Sequence, residues 1–258
     1  MATTPPRSRF RWAHLSLQAS DTVEQLEADL EKCFDRFVRK GTRVITGTEA
    51  GSKSFRRVLR RVARKHGYKV KVARDCWVAV EKDFRKRGSW RSGYKHVLDS
   101  GASRTTKRHS DRGITWVSFD TKEFGRIAVG AAHYLTKGRP VAGKYGTNVD
   151  LNEDLAEAIG EWGKEHGRGE GLAFIGADAN IIDKLHDVFF GEPFTTAWDE
   201  VRTWEDTGHG NIDVWASFDW DGRVEAVWVN ALNDKEFFLF GDHFLVEGAY
   251  WIEHLEAV

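Results

Sequence analysis

The sequence predicts an α/β fold in which two sheets pack against each other with helices outside, a four-layered α/β/β/α sandwich. Three observations predict it. Strand–helix–strand units alternate with hairpins in two similar halves of the chain. The helical segments carry one apolar face each, as helices laid on a sheet do. No composition break or linker divides the 258 residues, so a single domain spanning 1–258 is expected. An apolar share of 41%, with 11 Trp and 16 Phe, is enough to fill such a core.

The first strand is expected in FRWAHLSLQ, with Ser20 and Asp21 as candidate caps for the helix that follows. That helix repeats apolar residues at Val23, Leu26, Leu30, Phe34 and Phe37, and Gly41 ends it. TRVITGTEA reads as a strand running into Glu49. SFRRVLRRVARKHG puts Phe55, Val58, Leu59, Val62 and Ala63 on one face and arginines on the other. YKVKV and CWVAVEK alternate like two strands joined by a turn at Ala73 to Asp75. Residues 83–112 are basic, rich in Gly and Ser and weakly periodic, which reads as a long flexible insertion. GITWVSFD and RIAVGAAHYL form the next two strands, with a hairpin around Gly125. NVDLNEDLAEAIGEWGKEHG is an amphipathic helix leading into GLAFIGADAN. The last third supplies NIDVWASFDW, a turn at Asp221-Gly222, RVEAVWVNAL and GDHFLVEGAYWIE.

The formal charge of zero conceals a strong sorting. From Lys53 to Arg112 there are 20 Lys and Arg against 5 Asp and Glu; from Asn148 to Val258 there are 6 against 25. One face for a polyanion and another rich in carboxylates would sort charge this way; two solvated helical faces of opposite sign would do so too. Two cysteines, Cys33 and Cys76, form neither a disulfide framework nor a zinc spacing and suit a reducing compartment. MATTPPRSRFRW lacks the apolar stretch of a signal peptide, and no run approaches the ~18 apolar residues of a membrane span. A cytoplasmic protein is expected.

Polar residues gather at strand ends. Gln18 closes HLSLQ, Glu49 closes VITGTE, His133 closes IAVGAAH, and Asp178 and Asn180 close LAFIGADAN. Asp213 opens IDVWASF, and Asp242 and His243 open HFLVEGAYWI. Singly, such residues are caps or solvated groups. Together, at one rim of a sandwich, they suit a hard divalent cation and a phosphoester. The chain has no G-x-x-x-x-G-K-[ST] loop, G-x-S-x-G elbow or H-E-x-x-H helix. DWDG at 219–222 lacks an acid at the twelfth position, where Asn230 stands, so it reads as a hairpin turn rather than a calcium loop.

The order Glu … His … Asp-x-Asn … Ile-Asp … Asp-His resembles the endonuclease/exonuclease/phosphatase (DNase I-like) family over nearly the whole chain. FIGADANII resembles its Gly-Asp-x-Asn element, VGAAHYL its Thr-His-Leu element, GNIDVWASF its Ile-Asp-Tyr element and GDHFLV its Ser-Asp-His element. The resemblance implies two mostly antiparallel mixed sheets and a Mg2+-dependent phosphodiester hydrolase, with Mn2+ as a substitute. Glu49 would be the principal metal ligand, Gln18 would stand where the family has an asparagine, and Asp242 would lie near the metal or a second cation. Asp178 and Asn180 would position or deprotonate the attacking water and hold a phosphate oxygen. His243 would handle a proton, oriented by Asp213, and His133 would contact phosphate with Asp75 as its acidic partner. Gln18, the inserted Ala177, Gly241 and Phe244 depart from the family pattern, while every acid and base is kept.

In the basic segment, Arg85, Lys86, Arg87, Arg91, Lys107 and Arg108, with Trp90 and Tyr94 among them, suit a nucleic-acid backbone. A nuclease acting on DNA or RNA is therefore the leading expectation. The alternatives are a phosphatase of phosphoinositides or other small phosphoesters, and a catalytically inactive nucleic-acid-binding relative.

Overall fold

The computed structural model describes residues 6–17, 22–99, 111–134, 148–168, 171–178, 194–196, 213–218, 223–232 and 245–254. In chain order the elements are β1 (Arg7–Ser16), α1 (Val23–Lys40), β2 (Val44–Thr48), α2 (Lys53–Lys65), β3 (Tyr68–Ala73), β4 (Cys76–Glu81), β5 (Arg91–Asp99), β6 (Asp111–Asp120), β7 (Arg126–His133), α3 (Asn148–His166), β8 (Leu172–Asp178), β9 (Phe194–Thr196), β10 (Asp213–Phe218), β11 (Val224–Leu232) and β12 (Leu245–Glu253). They build two six-stranded sheets, β11-β12-β1-β2-β4-β3 and β5-β6-β7-β8-β10-β9. Each sheet has one parallel pair at its centre, β1–β2 and β7–β8, and antiparallel neighbours elsewhere.

Alternation along the strands sorts side chains into layers. On β1, Phe10 and Trp12 point between the sheets, while Ala13 and Leu15 point toward α1 and α2. On β8, Leu172 and Phe174 face the other sheet, and Ala173, Ile175 and Ala177 face α3. The inter-sheet core joins both sheets through stacked rings, with Trp12 against Trp215 at 4.5 Å between centroids and Phe10 against Phe174 at 4.8 Å. α1 and α2 cover the first sheet and α3 covers the second, which completes the expected four layers.

Two local expectations are corrected. The described cap of α1 is Thr22, whose Oγ1 accepts from the Gln25 amide at 3.1 Å, rather than Ser20 or Asp21, which lie outside the described residues. Gly41 ends α1 in the left-handed conformation, as expected. Residues 83–112 are not one long loop: Arg91–Asp99 form edge strand β5, paired antiparallel with β6. An edge strand with one neighbour tolerates Lys, Ser and Gly, and this polarity hides its alternation. The short strand β9 was not anticipated.

Candidate active site

The second sheet builds the row that matters. Its parallel β7–β8 pairing sets His133 opposite Asp178, and the antiparallel β8–β10 pairing sets Asp213 opposite Asp178. Three adjacent strands thus deliver three polar residues at one level. Gly176, one step below Asp178 on the inner face, lets the sheets close: a Cβ there would stand 2.0 Å from Thr46 Oγ1 and 2.7 Å from His14 Nδ1. Those two side chains hydrogen-bond at 2.8 Å and form a buried polar floor under the site.

The first sheet adds a carboxylate from a turn. Glu49 follows β2 with φ of +62°, a left-handed conformation uncommon for a residue with a side chain. The turn is held in place because the Ala50 amide donates to the Asp75 carbonyl at 2.9 Å. Ser16, at the end of β1, donates to Glu49 Oε2 at 3.3 Å and accepts from Thr48 Oγ1 at 2.9 Å. One ligand atom from each of Glu49, His133 and Asp178 lies within 4.8 Å of the others, close enough to surround a single ion.

Asp75 ties the two sheets together at this rim. Its Oδ2 accepts from Arg112 Nη1 at 3.0 Å and lies 2.8 Å from His133 Nδ1. The other ring nitrogen, His133 Nε2, lies 3.4 Å from Asp178 Oδ2. Asp75, Arg112, His133 and Asp178 are all buried. Burial by itself would raise the Asp75 carboxyl, but the His133 and Arg112 charges override it and hold the group well below the usual carboxylate range. His133 faces the converse balance. Burial and Arg112 disfavour its charged form, yet Asp178 and Asp75 on its two nitrogens raise its pKa. Arg112 keeps a buried Nε–H with no hydrogen-bond partner among the described residues.

Of the residues expected at this site, Glu49, Asp75, His133 and Asp178 come together, and Asp213 joins them by strand register. Gln18, Asn180, Asp242, His243, Lys107 and Arg108 lie outside the described residues. Arg85, Lys86, Arg87 and Arg91 are not brought to this rim. The Lys86 amide donates to the Asp120 carbonyl, and Arg91 pairs with Ser118, both at the far end of β6. Sequence reasoning missed Ser16 and Arg112. A serine in an apolar strand carries no signal of its own, and Arg112 was one of many cations in its segment.

No protein-family model matches the sequence, and no curated protein matches it. Solved structures do match in fold. An endonuclease/exonuclease/phosphatase from Bacteroides vulgatus superposes with a TM-score of 0.69 at 14% identity, covering 95% of this chain and 100% of that one. A mannosyl-6-phosphatase from Bacteroides thetaiotaomicron gives 0.66 at 14% identity, covering 94% and 99%. The human Nocturnin catalytic domain with bound sulfate anion gives 0.62 at 11% identity, covering 96% of both chains. The chain has the sandwich fold of these proteins.

Proposed function

We propose that this chain, which shares the fold of endonuclease/exonuclease/phosphatase proteins, is a divalent-metal-dependent phosphodiester hydrolase, and that its substrate is a nucleic acid. The observation that carries the reading is the buried chain Arg112–Asp75–His133–Asp178 ending beside Glu49. Such a chain has the parts that hydrolysis at phosphorus asks for: carboxylate oxygens for a hard cation, a positively charged hydrogen-bond donor, and a carboxylate near the attacking water.

The donor set fits Mg2+, because Glu49 and Asp178 offer hard oxygen ligands; when bound, the ion supplies charge neutralisation at the phosphate. His133 is better suited to donate than to ligate. Flanked by two carboxylates it favours the imidazolium, which has no lone pair for a metal and can donate to a phosphate oxygen. Arg112 offers its unused Nε–H and its charge to the same anion. In this reading Asp178 orients the attacking water with Asn180. On the family resemblance Asp213 would orient His243 for the second proton transfer, and Gln18 and Asp242 would help to hold the cation.

Nucleic acid is preferred over a small phosphoester because 20 cations against 5 acids lie between Lys53 and Arg112. The likeness to a mannosyl-6-phosphatase favours the second reading, a phosphatase of small phosphoesters. The test is the purified protein against plasmid, single-stranded DNA, RNA, phosphoinositides and sugar phosphates, with Mg2+ or Mn2+ and with EDTA. Metal-dependent cleavage of a nucleic acid supports the proposal. Turnover of sugar phosphates or phosphoinositides alone would move the assignment to the second reading, and no hydrolysis with either ion would overturn both.

A further inference from the structure

Lys69, Arg74 and Arg85 lie along one side of the sandwich, where β3 and β5 form the edges of the two sheets. On β3, Tyr68, Val70 and Val72 pack outward beneath α2, so Lys69 and Lys71 occupy the opposite face, toward the second sheet. On β5, Gly93 lies against Trp116 and Lys95 reaches Glu161 of α3, while Trp90 packs on the inter-sheet core, so Ser92, Tyr94 and His96 share the inner side with Trp90. At the rim β3 is tied to β6, the neighbour of β5, where Thr115 Oγ1 donates to the Ala73 carbonyl at 3.0 Å.

Cations lie over the rings along this flank. Lys69 Nζ sits 4.4 Å from the Trp90 ring centre, and the Arg85 guanidinium sits 5.6 Å from the same ring. Nearer the rim, Arg74 sits 5.8 Å from the Tyr94 ring. Among the described residues no carboxylate pairs with Lys69, Lys71 or Arg85. Arg85 Nε is buried without a hydrogen-bond partner. Two cations around one indole, with an unmet N–H between sheet edges, make an electropositive seat that an anion would complete. From Trp90 to His96 the chain advances six steps, about 20 Å at ~3.3 Å per residue, and His96 pairs with Gly113, next to Arg112.

We propose that this flank carries the phosphate backbone of a nucleic-acid strand away from the active rim, with Lys69 and Arg85 around Trp90 as its distal anchor. The inference rests on the nuclease reading and adds to it a binding surface. It also gives Arg85 a role that its distance from the rim would otherwise deny it. The phosphates are held by cations that no described carboxylate pairs with, Lys69 on edge strand β3 and Arg85 in the turn between β4 and β5, and the aromatic residues space the cations. Single strands and duplexes share this chemistry, and the experiment separates them.

The test compares wild type with Lys69→Gln/Arg85→Gln, and with Arg60→Gln/Arg64→Gln on the exposed face of α2 as a control of equal charge. Affinity for labelled single-stranded and duplex DNA is titrated with salt in EDTA, which prevents metal-dependent turnover. Hydrolysis of a small chromogenic phosphodiester is measured with Mn2+. The flank variant should show a log–log salt slope shallower by about 1.4 on single strands, or about 1.8 on duplex, and unchanged turnover of the small ester. A single Lys69→Met variant, which keeps the stem over Trp90, should show about half that change. The strand form that loses slope is the form the flank carries. Equal slopes for flank and control variants, with wild type binding and cutting nucleic acid, would overturn the flank and leave the nuclease reading standing. A wild type that cuts the small ester but binds neither strand form would overturn both.

Discussion

The two sheets repeat one device, a central parallel pair bridged by a helix, and use it differently. In the first sheet the paired strand ends are hydroxyls, Ser16 beside Thr48, and the charge is displaced onto a strained turn at Glu49. In the second sheet the paired strand ends are the ionisable groups themselves, His133 beside Asp178, set in regular strand geometry. The contrast teaches where a sandwich can afford charge. The second sheet has Asp75 and Arg112 to compensate its buried imidazole. In the first sheet Glu49 accepts from Ser16 and brings its carboxylate within 4.8 Å of a ligand atom on His133 and on Asp178, where a cation can be held.

If the two sheets contribute different parts of one reaction, deleting either charge should abolish it. Glu49→Gln and Asp178→Asn are each expected to lower turnover by at least the ~10²–10⁴-fold typical of an acid–base or positioning group. Glu49→Gln should do so mainly through metal affinity, and Asp178→Asn through metal affinity and the placement of the attacking water together; calorimetric titration with Mg2+ would read the metal part of each. Unchanged Mg2+ affinity in the Glu49→Gln variant would remove Glu49 from the ligand set.

The next largest effect falls on stability. Asp75→Ala leaves Arg112 buried beside His133 with no shared carboxylate, and breaking a buried pair in this way costs about 3–5 kcal/mol. The pH dependence has a definite sign. The Asp75 carboxyl titrates lower in the folded chain than its unfolded value near ~3.9, so its contribution is present above about pH 4 and is lost as pH falls. Asp75→Asn, which keeps an acceptor, should therefore flatten the acid limb of the stability curve. An acid limb as steep as that of wild type, followed by denaturant melts, would contradict the pairing.

A smaller effect tests how tightly the sheets close beneath the site. Gly176→Val would force atoms against Thr46 and His14, and overpacking of this kind costs about 1–3 kcal/mol. The loss should appear as a lower denaturation midpoint with Mg2+ absent, and pairing Gly176→Ala with Thr46→Gly should recover part of it.

The legible part of this architecture is the part written in alternation. LAFIGAD switches between the inter-sheet core and the α3 face, so the acid at its end had to lie at a rim, and the same holds for His133 after IAVGAA. Asp75 was placed by the family resemblance rather than by its neighbours, and its contact with His133 is what the resemblance implied. β5 reads as a loop in sequence because its inner positions are aromatic or polar and its outer positions include Gly93 and Lys95, so neither face stands out as apolar. Ser16 and Arg112 act through contacts between segments distant in sequence, 33 and 37 residues apart in their pairs with Glu49 and Asp75, which local pattern does not encode.

The subtlest difference between the sheets is backbone strain, and it yields the smallest expected effect. Glu49 sits at φ +62° while His133 and Asp178 lie in regular strands. A left-handed residue with a Cβ costs roughly 1–2 kcal/mol, whereas glycine adopts the conformation freely but carries about 0.4–1 kcal/mol more unfolded-chain entropy. Glu49→Ala and Glu49→Gly both remove the carboxylate and the Ser16 hydrogen bond, so their difference isolates the backbone. Strain should win by a margin of up to about 1 kcal/mol, which for a chain of this size raises Tm by roughly 2–4 °C in the glycine variant over the alanine variant. Both variants should be inactive. Tms in the opposite order would mean that the turn after β2 is relaxed, and that the first sheet presents its carboxylate as freely as the second presents its own.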